Sequence, residues 1–541
     1  MTGRATSRWW PVVLAAVLVL GTACSPGGDR ADAGAGTAAD GGTDYRTGLR
    51  NTDPGAATPD RGGTFTMAAF SEPRVLDPAR TIVAGSTGGV ALAAVYDVLM
   101  RWDSEREEVV PRLAESLEPD DGFTTWTLRL RDGVRFSDGT PLDAAAVTHS
   151  IERYVDAGAD DAAVWTSAVR DMRTPDEHTV VFELSGKWPG FPHLLTAGAG
   201  MIVAESAGEG DGFRPVGAGP FTFVRHAPRE ELVLAANEDY WDGRPQLDRV
   251  RMVFLNDQHT ARESFDSGGV NAVFLRDPDL VDRALAEGRR GYLSLVSLGN
   301  VAVINADEGR PGADPRVRRA MHHAIDPDLV RRRAYEGAGI ASNAVFPAQS
   351  RWHGDTEPLP YDPARAEELL RQARADGFDG HIRYTDAGDP ASRATALTVK
   401  SALEAVGFTV ELDLVRTIAD QITKVSVERD YDVAGWGISW RESGPYSRMY
   451  STLHSEGDLT VGMATGAETD ALLGELKRAE TPDERAAVLD EVQARWNDQV
   501  PALVYGPTAE FLVWSDRVHG VTDTANSMVL LDDAWIDGGG R

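Results

Sequence analysis

The sequence predicts a mixed α/β protein of two lobes. Three observations carry that expectation. A chain of 541 residues exceeds the size at which one hydrophobic core stops growing. In its first half, short strand-like runs are punctuated by Asp-Gly turns, the pattern of antiparallel hairpins. In its second half, amphipathic helical stretches are followed by strand-like runs, the pattern of an α/β layer.

At the N-terminus, Arg4 and Arg8 precede an apolar run at 9–20 and the small residues Gly21, Thr22 and Ala23. The run is too short to span a bilayer comfortably, so residues 1–23 read as an export signal. Cys24 follows at once and is the only cysteine, which excludes an internal disulfide and a multi-cysteine metal site. Residues 25–62 are rich in Gly, Ala, Asp and Thr with almost no large apolar side chain. They are expected, with Cys24, to form a flexible tether at 24–62. A coil of that length reaches on the order of 35 Å.

Folded sequence is expected from Gly63. Strands are predicted at 64–70, 126–130, 134–136, 180–184 and 221–225, with turns at Asp132-Gly133 and Asp138-Gly139. A helix is predicted at 144–154 behind the N-cap Asp143, and another at 315–324, where Val317, Ala320, Met321 and Ala324 share a face. Asp362 caps and Pro363 starts a third, with Ala366, Leu369 and Leu370 as its apolar stripe and an end near Gly377. A fourth at 394–406 stops at Gly407 before a strand at 408–414, and a fifth at 482–496 opens on Pro482.

The formal charge of -30 comes without any compensating basic block, which excludes nucleic acid as a partner. The composition, 42% hydrophobic and 26% charged, is that of a folded globular protein. Catalytic and metal signatures are missing from the pattern. His322 and His323 are adjacent, so they point in different directions, and they are expected on a helix surface with one imidazole partly buried. Gly-x-Gly at 217–219, 337–339 and 435–437 lacks the third glycine of a dinucleotide loop, and Lys187 is followed by Trp188 rather than by Ser or Thr. Asp120-Asp121 reads as a solvated turn. Binding without cofactor or metal, rather than catalysis, is the expectation.

Several segments in order carry a resemblance. They are GGTFTMAAFSEPRVLDPAR (62–80), PRLAESLEPDDGFTTWTLRLRDGVRFSDGTPLDAAAVTHSIERY (111–154), GAGPF (217–221), NEDYWDGRPQLDRV (237–250), DPRVRRAMHHAID (314–326), YEGAGIASNAVFP (335–347) and YDPARAEELL (361–370). Together they resemble bacterial solute-binding protein family 5, the extracytoplasmic peptide and nickel binding proteins of ABC importers. Cys24 after its small residues resembles the lipid-bearing cysteine of bacterial lipoproteins.

The resemblance implies an α/β, two-lobed periplasmic-binding-protein-like fold of the type II, large peptide-binding subclass, with an extra subdomain in the first lobe. Lobe I would span 63–299 with that subdomain, lobe II 300–504, and 505–541 would return to lobe I. The crossings are expected around 298–305 and 501–505. The implied function is capture of an oligopeptide or similar small polar solute between the lobes and delivery to a permease with cytoplasmic ATPases. The protein would be a monomer held on the outer face of the membrane by lipid on Cys24. Alternatives are a secreted hydrolase of peptides or glycosides, or a sensory or chaperone lipoprotein of the same fold that serves no importer.

In peptide binders of the family, a Gly-Trp followed shortly by Asp holds the peptide's α-amino group. Here Gly435 and Trp436 match, Ser439 stands in place of the Asp, and Glu442 is the nearby carboxylate. A neutral hydroxyl cannot replace a carboxylate against a buried ammonium. Trp436 and Trp440 are expected to offer aromatic faces to a ligand, and Gly85, Ser86 and Thr87 to line the cleft.

Overall fold

An Asp-Pro pair starts helix after helix in this chain. Asp277, Asp314, Asp326, Asp362 and Asp389 each accept hydrogen bonds from backbone N–H groups of the first turn, and each precedes a proline at the first helical position. The carboxylate satisfies donors that have no partner inside the helix, and proline has no N–H there to leave unpaired. The computed structural model describes residues 43–52, 58–255 and 257–538. The export signal and Cys24 lie outside these residues.

The helices cover a twelve-stranded sheet. From one edge its order is Thr409–Val415, His381–Ala387, Val433–Gly437, Arg290–Ile304, Ala502–Trp514, Ala272–Leu275, Thr64–Ala69, Arg249–Phe254, Glu231–Ala236 and Phe221–Ala227. Gly48–Arg50 and Trp440–Arg441 also pair with Arg290–Ile304. The first three strands are parallel and fed by helices, whereas the last three form antiparallel hairpins. On the α/β side, Val317, Ala320 and Met321 pack with Leu369, Leu370, Tyr384 and Leu403 in one core. On the other, Phe65, Met67, Leu234 and Phe274 form another.

Arg290–Ile304 and Ala502–Trp514 run antiparallel through the middle and serve both halves. Their pairing shifts register twice in succession: Val296 faces Thr508, Asn300 faces Gly506 and Val301 faces Val504, so Ser297, Leu298 and Gly299 stand opposite Pro507 and Tyr505 is skipped. Leu298 has a φ of 65° there, an unusual conformation for a branched side chain. Gly506 is tight as well, since an added Cβ would stand 2.1 Å from the Ile340 carbonyl oxygen. Gly506→Ala is therefore expected to cost about 1–3 kcal/mol in overpacking, read as a lowered thermal midpoint.

A separate four-stranded antiparallel sheet, Ala114–Pro119, Thr125–Leu130, Thr179–Leu184 and Val169–Asp176, carries helices Ala144–Asp156 and Ala162–Ala168. It has its own core around Trp126, Trp165, Phe182 and Phe191. Asp143 caps the first helix as expected, accepting from Ala146 N.

Four expectations change. The tether does not run unbroken to Gly62. Gly48–Arg50 adds a strand beside Arg290–Ile304, Tyr45 is buried, and Thr47 Oγ1 accepts from Leu295 N. One tyrosine and one leucine suffice because the edge of a long strand supplies the hydrogen bonds. Residues 134–136 form no strand, only an isolated bridge from Arg135 to Pro141, since the chain turns back at Gly139. The fourth predicted helix starts earlier, at Pro390, because Asp389 provides the cap. Finally, both His322 and His323 are buried, their rings held by the carbonyls of Leu359 and Pro360 at 3.1 and 2.8 Å.

Candidate functional site

Between the subdomain, the twelve-stranded sheet and the α/β half lies a cleft of about 780 Å³. One wall is the loop and single turn of 3-10 helix Gly85–Thr87. Ser86 and Thr87 line the cleft, and the Thr87 hydroxyl donates to the Ile82 carbonyl at 2.5 Å. Gly85 stands behind them, so close to Ser527 that a Cβ would lie 2.0 Å from its carbonyl oxygen. The glycine lets the turn seat against the last segment of the chain.

The opposite wall is the end of Val433–Gly437 and the loop after it, with Gly435, half-buried Trp436 and Ser439 on the cleft surface. Two expected contacts in this loop need correction. Trp440 is fully buried, between Phe346 and Trp496 with ring centroids 5.8 and 5.9 Å away, and donates Nε1 to Thr452 Oγ1. Glu442 is buried away from the cleft and accepts from Ser350 Oγ at 2.8 Å and Arg351 N at 3.0 Å. Its carboxyl is raised above the ordinary range by burial. Trp436 and Trp440 lie on two separate strands, Val433–Gly437 and Trp440–Arg441, and the break between them at Ile438 and Ser439 lets the two rings face different ways.

Charge in the cleft is uneven. Five carboxylates, Asp160, Asp161, Asp386, Asp389 and Glu510, face three guanidinium groups, Arg276, Arg441 and Arg448. Glu510 binds two of the three, Arg441 at 2.7 Å and Arg276 at 3.2 Å. Burial acts to raise the Glu510 pKa, but the charges of Arg441 and then Arg276 bring it down to about 2. Arg448 reaches from helix Tyr446–Leu453 to Asp160 of the subdomain at 2.6 Å. Beside it, Asp161 is pushed up to about 7 by burial and by the charge of Asp160. His193 stays neutral, its pKa lowered to about 3 by burial.

Asp386 differs from the others. It ends strand His381–Ala387 with 5% exposure, and among the described residues no cation pairs with it. Gln421 Nε2 donates to it at 3.3 Å and to the Gly435 carbonyl at 2.7 Å. Burial raises its pKa to about 7. Gly435 makes room for it, since a Cβ at that position would stand 2.2 Å from Oδ2. Sequence reading missed Asp386, yet a signal existed. It sits at the carboxyl end of a parallel strand, just before a Gly-Asp-Pro helix start, and ligands of α/β sheets bind outside such strand ends.

The subdomain and the adjoining hairpin Met100–Pro111 touch the α/β half at several points. Besides Arg448 with Asp160, Lys187 pairs with Glu480, and Arg351 pairs with Glu107 at 3.0 Å. Trp188 meets Tyr446 edge-on at 5.3 Å.

Comparison with known proteins agrees with this geometry. The family described as bacterial extracellular solute-binding proteins, family 5 Middle, matches residues 108–459. Heme-binding protein A of Haemophilus influenzae is 26% identical over 495 residues, covering 84% of this chain and 89% of the relative. The probable D,D-dipeptide-binding periplasmic protein DdpA of Escherichia coli is 25% identical over 402 residues, with 71% and 76% covered. The oligopeptide-binding protein AppA of Bacillus subtilis, solved with a nonapeptide, shares the fold with a TM-score of 0.72 at 20% identity, covering 88% of this chain and 100% of that one.

Proposed function

The chain belongs to the bacterial extracellular solute-binding proteins of family 5, and from that premise we propose that it captures an oligopeptide or similar small polar solute and delivers it to the permease of an ABC importer. The observation that carries this reading is the cleft of about 780 Å³, large enough for a short peptide and bounded by two halves that the long strands Arg290–Ile304 and Ala502–Trp514 connect. In this reading Ser86, Thr87, Gly435, Trp436 and Ser439 contact the ligand. Lobe I comprises 63–299 and 505–541, lobe II 300–504, and the breaks at Leu298-Gly299 and at Gly506-Pro507 are the hinges. Ligand shifts the population toward closure because it touches both walls only when the lobes meet.

The protein acts without catalysis, as a monomer, and lipid on Cys24 holds it to the outer face of the cell membrane. Replacing Cys24 with alanine should release it into the medium. The test of the ligand class is thermal unfolding against di- and oligopeptides, oligosaccharides and nickel chelates. A ligand at 100 times its Kd adds about 2.7 kcal/mol. Stabilisation by peptides, with the peptides recovered intact, is the expected result. Degradation of any of these compounds, or stabilisation by another class alone, would overturn it.

A further inference from the structure

The described end of the tether is built into the hinge region. On one edge of the long strand Arg290–Ile304, two short strands lie end to end. Gly48 faces Leu293 and Arg50 faces Gly291, Thr47 Oγ1 accepts from Leu295 N at 2.9 Å, and Arg441 and Trp440 take over at Val296 and Ser297. The tether thus covers this edge to one residue short of the register shift, where a loop of lobe II takes its place.

One carboxylate ties the tether to lobe II. Tyr45, 6% exposed, packs with Leu280, Val281 and Leu295 and donates its hydroxyl to Oδ1 of Asp282 on helix Pro278–Ala286. Oδ2 of Asp282 accepts from Gly339 N at 2.9 Å, in the lobe II stretch that follows helix Pro327–Ala334. That stretch is wedged between lobe I and the hinge. A Cβ at Gly339 would stand 3.1 Å from Pro278 Cβ, and the Ile340 carbonyl oxygen stands 2.1 Å from where Gly506 would carry one. Ile340 also packs against the core that contains Tyr45.

Beside these groups is a second cavity, of about 500 Å³, lined by Tyr45, Asp282 and Gly339 together with Asn300, Pro507 and Thr508 of the two hinge strands. Rotation of lobe II about Gly506 must move Ile340 and Gly339, and with them one of the two partners of Asp282. Packed contacts of this kind hold or release as a unit rather than stretch.

We infer that residues 43–50 are a strap on the hinge: docked, they hold the lobes in the arrangement seen here, and lifted, they let the lobes part. The inference rests on the reading of Leu298-Gly299 and Gly506-Pro507 as hinges. A pull on the tether is then felt at the hinge, because Tyr45, Asp282 and Gly339 are consecutive links.

The experiment compares the full chain in mild detergent with its Tyr45→Phe, Tyr45→Ala and Arg448→Ala variants. Amide hydrogen exchange is followed by mass spectrometry, and the radius of gyration by neutron scattering at the contrast match point of the detergent. Tyr45→Phe, which removes one hydroxyl, should speed exchange at 335–342 about threefold and Tyr45→Ala about tenfold, the range of coupling within one hydrogen-bond network. Tyr45→Ala should also enlarge the radius, as is expected of Arg448→Ala, while strand Thr179–Leu184 exchanges as in the wild type. Faster exchange confined to 290–295, with 335–342 unchanged, overturns the strap. A wild-type radius in Tyr45→Ala beside an enlarged one in Arg448→Ala also overturns it and leaves the hinges standing. An unchanged radius in both overturns the hinge reading, and the strap with it. If Tyr45→Ala speeds exchange at 179–184 as well, the whole fold is loosened and the rate at 335–342 in Tyr45→Phe decides alone.

Discussion

Glu510→Gln will destabilise the protein by about 3–5 kcal/mol, the cost of removing one partner from a buried ion pair. Glu510 is 2% exposed and joins Arg441, Arg276 and the Ser527 hydroxyl. Arg441 belongs to the loop after Val433–Gly437, while Ser527 belongs to the final segment of the chain, so one carboxylate ties three separate stretches together. Without it, the Arg441 side chain, 13% exposed, keeps its charge without a counter-ion. The loss should appear as a midpoint roughly 4 °C lower in a cooperative unfolding of this size.

The same group sets a pH limb. Its pKa falls from 4.5 unfolded to about 2 folded, so its contribution is complete above about pH 4.5 and disappears as pH falls through about 2. The variant should lack that limb. An unchanged midpoint at pH 7 in Glu510→Gln would refute the assignment.

Arg448→Ala will open the cleft. The Arg448–Asp160 pair at 2.6 Å, with the arginine side chain 24% exposed, bridges the subdomain and the α/β half. Truncating one member of a hydrogen-bonded, largely desolvated charge pair costs about 2 kcal/mol or more, an affinity loss of roughly 30-fold for a ligand that binds the closed state. The control is Lys187→Ala. Its bridge to Glu480 is 36% and 47% exposed, and such surface pairs contribute under about 1 kcal/mol.

Opening can be followed as a larger radius of gyration by small-angle X-ray scattering. In the variant it should depend on pH. Asp161, already raised to about 7 by burial and Asp160, loses the opposing charge of Arg448, with Asp458 as a further carboxylate nearby. Protonation then relieves the repulsion, so the variant should be more closed at pH 5 than at pH 8. A radius that matches the wild type at both values would show that this pair does not hold the lobes.

Local elements were legible because local rules make them. The Asp-Pro pair at 362–363 starts a helix as the sequence predicts, and the Val317, Ala320, Met321 stripe of helix 315–324 is buried as its spacing demands. Helix 394–406 was placed too late because Asp389 was not read as its cap, and 134–136 was read as a strand although no partner strand was available to it. Gly435 and Trp436, named from their motif, do face the cleft, while Trp440 and Glu442 are buried on the other side of their loop.

The sequence by itself determined five of the helices, four strands of the hairpin-rich half and, through ordered motifs, the family and its two-lobed fold. These depend on hydrogen bonds and side-chain spacings within a few residues along the chain. The tertiary structure alone decided that Asp386 stands beside Gly435, Tyr505 and Thr395, that Glu510 gathers Arg276 and Arg441, and that Trp440 is core where Trp436 is surface. The physical reason is that strand order, not sequence distance, fixes which polar groups converge, and a buried charge acquires its meaning only from the partners that the sheet brings or withholds.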